Sequence, residues 1–282
     1  MSNRRTLYGT VAQLHSVLGC PIPADFLLAT SLNRKLSIQP TVAPSANERA
    51  TVRGFVAGIG GLTSTKGAHG LPLIASQPHT AEHAAPFYMV PIVLREVGND
   101  LSSGERERYA LRSIITKDSV NYIAYWMRRM DTSSAVIKAH NIEVVNNTTS
   151  QTDFVPNDAN LSPTPVVVSV EAPNPLAGKY VRASAPVEVT LDSFDVTEMI
   201  SACTILFGTD PAYANITELC VVTGVDRTVT GDNGSGGTVS YNEVIGAQAM
   251  QHISARIMLS DYPDGYTTTY DFGGSEPLFV PR

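Results

Sequence analysis

The strongest constraint on the fold is one strand-like run, Val120 to Met130, which reads VNYIAYWMRRM. Side chains alternate across a strand, so Tyr122, Ala124, Trp126 and Arg128 share one face while Ile123, Tyr125, Met127 and Arg129 share the other. Both faces carry bulk. Such a strand has to be covered twice, by another layer of the chain or by a neighbouring subunit. The single Trp of the chain lies here, and aromatics with Arg are the types enriched at interfaces. An ordinary two-layer core with Arg at its rim explains the same residues equally well.

This run is the second arm of an expected hairpin. Tyr109 to Thr116 forms the first arm, and Lys117-Asp118-Ser119 is the short polar turn between them. Upstream, Pro91 to Leu94 reads as an apolar strand and Gly98-Asn99-Asp100 as a turn. Ser103 to Arg108 reads as a short helical segment, with Ser103 placed to cap it and Glu105 in its first turn.

The 21 Gly and 18 Pro among 282 residues favour an α+β, β-rich chain. Antiparallel sheets, a few short helices and long irregular arms are expected. Leu7, Val11, Leu14 and Leu18 recur at helical spacing, and Gly19-Cys20-Pro21 would end that helix. Asp25 to Leu36 is one further short segment, and Arg53 to Gly58 a strand. About thirty irregular residues follow, to Pro86, which suits an exchanged arm or a binding loop.

Ala135 to Val145, Val166 to Val170, Val187 to Leu191, Ile216 to Val225 and Tyr241 to Ser260 read as strands, with helix open for part of Val244 to His252. Asp195-Val-Thr-Glu198 has capping spacing before a helix from Met199 to Phe207. The expected division is a basic domain over 1–145 with its hairpin at 109–130, a polar linker over 146–165, and an acidic β-rich domain over 166–282.

Charge is unevenly spread. Residues 1–140 hold fifteen Lys and Arg against nine Asp and Glu, a net +6, whereas 141–282 hold five against seventeen, a net −12. Opposed halves suit docking on unlike partners or head-to-tail docking on copies of the same chain. Arg4 and Arg5, close to the N-terminus, are placed to reach such a neighbour. Cys20, Cys203 and Cys220 form no close pair, so buried reduced thiols are expected rather than a disulfide framework. No signal-peptide core and no run of about 20 apolar residues is present, so neither secretion nor membrane insertion is expected.

His79-Thr-Ala-Glu82-His83 matches the spacing of a zinc peptidase motif, which on a helix would turn both imidazoles to one face. Pro78 and Pro86 leave scarcely two helical turns for it. Gly58-Ile-Gly-Gly61 lacks the capped helix of a dinucleotide loop, and Gly61 to Gly67 lacks the Gly-Lys-Ser/Thr of a phosphate loop. Asp226, Asp232, Asp261, Asp264 and Asp271 fit no calcium loop. Arg106, Arg108, Arg112, Arg128 and Arg129 near Tyr and Trp raise nucleic acid as a partner, which the acidic second half and a pI near 5.5 oppose. No cofactor, metal or small-molecule substrate is expected.

One resemblance stands beside this reading. Pro91, Leu94, Arg95, then Asn99-Asp100-Leu101, then Glu107-Arg108-Tyr109, Leu111-Arg112, and finally Tyr122, Ala124-Tyr125, Arg128-Arg129 and Asp131 form an ordered pattern. It resembles uncharacterised structural proteins of contractile-tailed bacteriophages. The likeness covers about the first half of the chain and continues loosely through Ile216 to Leu259. It implies a non-enzymatic tail or baseplate protein of the virion, folded in the bacterial cytoplasm, whose partners are copies of itself and other tail proteins. Neither nucleic acid nor membrane is implied as a partner. On that basis Trp126, Tyr125 and Tyr122 are the expected interface anchors, with Arg95, Arg112, Arg128, Arg129, Arg4 and Arg5 positioning charged partners. Alternatives are a head–tail connector, a capsid-decorating protein, or a zinc-dependent tail hydrolase using His79 and His83.

Overall fold

The computed structural model describes residues 3–67 and 69–280, without the side chains of Asn3, Pro211 and Ala212. Of the apolar C-terminal tip, Pro281 and Arg282 lie outside the described residues. The chain is β-rich, built on antiparallel sheets with few helices. It divides into two units, Met1–Asp131 with Thr190–Thr267, and Thr132–Val189 with Thr268–Arg282.

The larger unit begins with a short strand β1 (Asn3–Arg5) and helix α1 (Leu7–Leu18). The Thr6 hydroxyl caps α1 by accepting from the Gly9 N–H, and Gly19, at φ 68°, ends it. The single segment expected over 25–36 is two helices, α2 (Ala24–Thr30) and α3 (Leu32–Lys35). The break is at Ser31, whose hydroxyl caps α3 by accepting from the Arg34 N–H at 3.2 Å. Then come β2 (Thr51–Gly58), β3 (Leu62–Lys66), β4 (Pro72–Ser76), β5 (Met89–Val90) and β6 (Val93–Glu96). Much of the expected irregular stretch is therefore a β3–β4 hairpin, registered from Leu62↔Ser76 to Lys66↔Pro72.

Helix α4 (Ser103–Arg106) starts one residue earlier than expected. Its cap is Ser102, in a reciprocal capping box with Glu105. The hairpin β7 (Tyr109–Lys117) and β8 (Val120–Arg129) follows as anticipated. Its turn is Asp118-Ser119, at φ 49° and 65°, the two positive values that match strand twist.

In the smaller unit the expected linker does not exist. Asn146-Asn147, at φ 49° and 62°, form a tight turn between β9 (Lys138–Val145) and β10 (Thr148–Asp153), with Val145 opposite Thr148. A short helix α5 (Asp158–Leu161) follows, and then β11 (Lys179–Asp192), which absorbs the strand expected at 187–191. The expected strand at Val166–Val170 is absent, and those residues carry no regular structure. The sheet runs β10-β9-β11-β14, where β14 (Gly265–Pro277) is the last strand of the chain.

Helix α6 (Ser193–Phe207) is longer than its expected core and is capped by Asp192 in a box with Asp195. Asp195 and Glu198 therefore both lie inside the helix. The strands β12 (Asn215–Asp232) and β13 (Thr238–Met258) then pair along nearly their whole length. The helix left open within 244–252 is strand throughout. Both faces of β13 are buried there, so the alternation that would announce a strand is missing from the sequence.

Among the described residues the larger unit holds an eight-stranded sheet, β1-β13-β12-β2-β8-β6, with β5 on β2 and β7 on β8. It interleaves the two ends of the chain, since β12 sits between β13 and β2. A cut at 146–165 could not separate independent domains for that reason. The same interleaving neutralises the two charged halves internally. Arg53 meets Asp226 at 2.8 Å, Arg95 meets Glu198 at 2.7 Å and Arg227 meets Glu48 at 2.7 Å.

Candidate interaction surface and its polar framework

The two-faced strand β8 is covered by its own chain. Tyr122 packs with Leu94, Ala124 and Ala202 of α6, while Met127 lies in a second cluster with Val56, Cys220 and Val222. Trp126 is half-buried, packs against both clusters, and donates its indole N–H to Ser113 Oγ at 2.8 Å. Tyr125 is 1 % exposed. Its hydroxyl donates to Asp100 at 2.7 Å, and burial, with that bond behind it, pushes the phenol up to about 12. Tyr122 and Tyr125, read as anchors for a neighbour, are therefore parts of this chain's interior, while Trp126 stays half-buried.

The arginines are engaged in the same way. Arg95 donates twice to Glu198, at 2.7 and 3.1 Å, and lies over the Phe194 ring. Arg112 is buried, with Nη1 donating to the Asp232 carbonyl at 2.7 Å. Arg128 donates to Asp195 at 2.8 Å, and Arg129 pairs with Asp226. Asp195 is the centre of the densest polar group. Fully buried at the start of α6, it also accepts from the Tyr109 hydroxyl and the Asp192 N–H. Burial, then the bond to Asp195, pushes the Tyr109 phenol well up.

A second buried group gathers the histidines. The motif at 79–83 lies in an irregular turn, as its flanking prolines require, and Glu82 is exposed. His79 Nε2 lies 2.6 Å from Glu218 of β12, whose carboxylate also accepts the Phe87 N–H at 3.1 Å and the Gly60 N–H at 3.2 Å. His79 Nδ1 lies 3.0 Å from His83 Nδ1, which accepts the Thr80 N–H at 3.3 Å. A nitrogen that accepts from an amide has no proton of its own, so the proton between the two rings belongs to His79. Both nitrogens of His79 are then engaged, Nδ1 by His83 and Nε2 by the Glu218 side chain. This pair was not legible in sequence, because 139 positions separate its members.

His252 stacks flat on His79 at 3.7 Å and donates from Nε2 to the His83 carbonyl at 3.0 Å. Burial first, and the neighbouring His79, push His252 down to about 4, so the ring is neutral. A histidine whose folded value lies below its unfolded one binds fewer protons when folded, so stability falls as pH drops from about 6.5 towards 4. The loss from this group is about 3 kcal/mol. Urea unfolding at about pH 7 and about pH 4.5 should show the fall, and His252→Phe should flatten it. An unchanged pH slope in that variant would contradict the assignment.

The exposed surface is where sequence reasoning fell short. The apolar stripe expected on α1 forms, but it is not the face that packs. Tyr8, Gly9 and His15 face inward, and a Cβ on Gly9 would lie 2.6 Å from the Met250 carbonyl of β13. That close approach, signalled only by a glycine that weakens the helix, turns the stripe outward. Leu7, Leu14, Val17 and Leu18 are 46, 50, 73 and 67 % exposed. Arg4 and Arg5 are also exposed, and Arg5 lies along α1, donating to the Gly9 carbonyl at 3.2 Å and to Gln13. At the far end of α1 an apolar cavity of about 360 Å³ is lined by His15, Pro21, Ile22, Pro23, Leu27 and Pro44 among others. On β4 and just before it, Leu71, Leu73 and Ile74 are exposed as well.

Of the three thiols, all free, Cys203 and Cys220 are buried as expected but Cys20 is exposed. Among the described residues no group of three His, Cys, Asp or Glu is placed to hold a metal ion, and no described helix is long and apolar enough to cross a membrane. No curated protein and no solved structure matches the chain. The model of a family of unknown function, DUF7208, matches residues 1–282, and the chain belongs to that family.

Proposed function

We propose that the chain is a structural subunit of a tailed-bacteriophage virion, in the tail or baseplate, working through contacts with copies of itself and with other tail proteins. The observation that carries the reading is apolar surface left exposed on several elements among the described residues. The α1 stripe, the hairpin residues Leu73 and Ile74, and Val166 to Val170 expose large aliphatic side chains. A solitary soluble domain scatters such residues, whereas contiguous ones mark interaction sites. The buried ionic groups support the same reading. Asp195 and Glu218 are enclosed by hydrogen bonds from their own chain, as ties between elements are, with every described contact directed inward. The resemblance over 91–131 supplies the viral setting.

The zinc-hydrolase alternative has less to draw on. His79 and His83 direct their Nδ1 atoms at each other rather than outward, and a catalytic zinc needs three protein ligands and an open position. Mass spectrometry of purified particles of a phage encoding the chain tests the proposal. A structural subunit is recovered at fixed copy number, and absence of the chain from washed particles would refute it. Metal analysis of the purified protein tests the alternative, with stoichiometric zinc lost in His79→Ala as its required result.

A further inference from the structure

The assembly reading leaves open which surface meets which, and two features of the chain answer each other. The first is the outward face of α1. Its Leu14, Val17 and Leu18 are half or more exposed and lead to the apolar cavity at Pro21 to Leu27. Residues 1–24 include Arg4 and Arg5 and no acidic residue. This face is greasy with a basic end.

The second feature is the segment Leu161–Glu171, reading LSPTPVVVSVE. It has the β-branched composition of a buried strand, yet no strand forms. Leu161, Val167 and Val170 are 84, 84 and 93 % exposed. Pro163 and Pro165 bias the chain towards an extended form, which lowers the entropy cost of docking. Residues 146–178 contain Asp153, Asp158 and Glu171 and no Lys or Arg. This segment is greasy with acidic flanks.

We infer that Leu161–Glu171 of one copy docks on the α1 face of a second copy, its aliphatic side chains covering Leu14, Val17 and Leu18 and its carboxylates near Arg4 and Arg5. Charge decides between this and pairing of like surfaces. Two α1 faces would bring no carboxylate to Arg4 and Arg5, and two segments no cation to the carboxylates, whereas the unlike pair sets opposite charges across the contact. A contact between two different patches is head-to-tail, and repeats into a ring or a filament. The inference rests on the structural-subunit proposal and adds the occupant of its main apolar face.

Sedimentation velocity of the full-length chain tests it, using Leu14→Asp and Val167→Asp. Both positions are exposed, so both variants should keep the wild-type unfolding midpoint. Wild-type protein is expected to associate with rising concentration, and each variant to weaken that association at least about tenfold. Mixing the two variants is the decisive step. The Leu14→Asp chain keeps an intact segment and the Val167→Asp chain an intact α1 face, so the mixture should give a one-to-one dimer that grows no further. Association of wild type with no dimer in the mixture would overturn the inference and leave the structural-subunit proposal standing. A wild-type chain that stays monomeric at every concentration overturns it too, and only its absence from particles as well would remove the broader proposal.

Discussion

Asp195→Ala should lower the unfolding free energy by about 3–5 kcal/mol, the cost of removing one partner from a buried ionic group. The carboxylate is fully buried and is shared by Arg128, Arg108, the Tyr109 hydroxyl and the Asp192 N–H. Truncation leaves two guanidinium groups and a phenol facing a void, and removes the N3 half of the α6 capping box. Helix α6 packs on the sheet beside β6, so its anchoring and the cover of Tyr122 would be lost together. Asp195→Asn keeps an acceptor for Arg128 or Tyr109 and should cost less, about 1.5–3 kcal/mol. Urea midpoints read at constant slope check the order wild type, Asn, Ala. A wild-type midpoint for the Ala variant would show that the network does not hold the fold together.

The second large effect is expected at Glu218, whose removal should also cost about 3–5 kcal/mol. Glu218→Ala would leave His79 Nε2 and the amides of Phe87 and Gly60 without their partner in a site that is almost dry. Glu218→Gln separates charge from hydrogen bonding. Its carbonyl oxygen can accept the two amides, and its NH2 can donate to His79 Nε2, so the loss should be about 1–1.5 kcal/mol. The Gln variant should also change the histidine resonances, since His79 Nε2 would now face an amide instead of a carboxyl group. Equal losses for Ala and Gln, with unchanged resonances, would mean that the Glu218 side chain does not bond His79.

Local features were readable where a few neighbouring residues decide the outcome. Gly19 ends α1, Asp118-Ser119 turn the β7–β8 hairpin, and Pro78 with Pro86 keep the histidine motif off a helix. Errors arose where two local signals competed. Ser102 displaced Ser103 as a cap because Glu105 is then at the third helical position, and Asp192 displaced Asp195 for the same reason. Asn146-Asn147 read as linker, although two residues tolerant of positive φ are equally a hairpin turn.

The larger misreadings concern what covers what. Val166 to Val170 has the composition of a buried strand and pairs with no strand among the described residues. The reverse holds for Tyr125 and Arg112, which looked like contacts for a neighbour and lie inside.

By itself the sequence determined which segments alternate, where turns and caps fall, and that β8 must be covered on two sides. Only the tertiary structure decided that α6 and the β12 and β13 strands supply that cover, that the basic and acidic halves neutralise one another, and that the α1 stripe faces outward. The physical reason is range. Propensity, capping and turn chemistry act within a few residues, whereas burial and ion pairing join positions such as Arg128 with Asp195 and His79 with Glu218, whose separation no local pattern encodes.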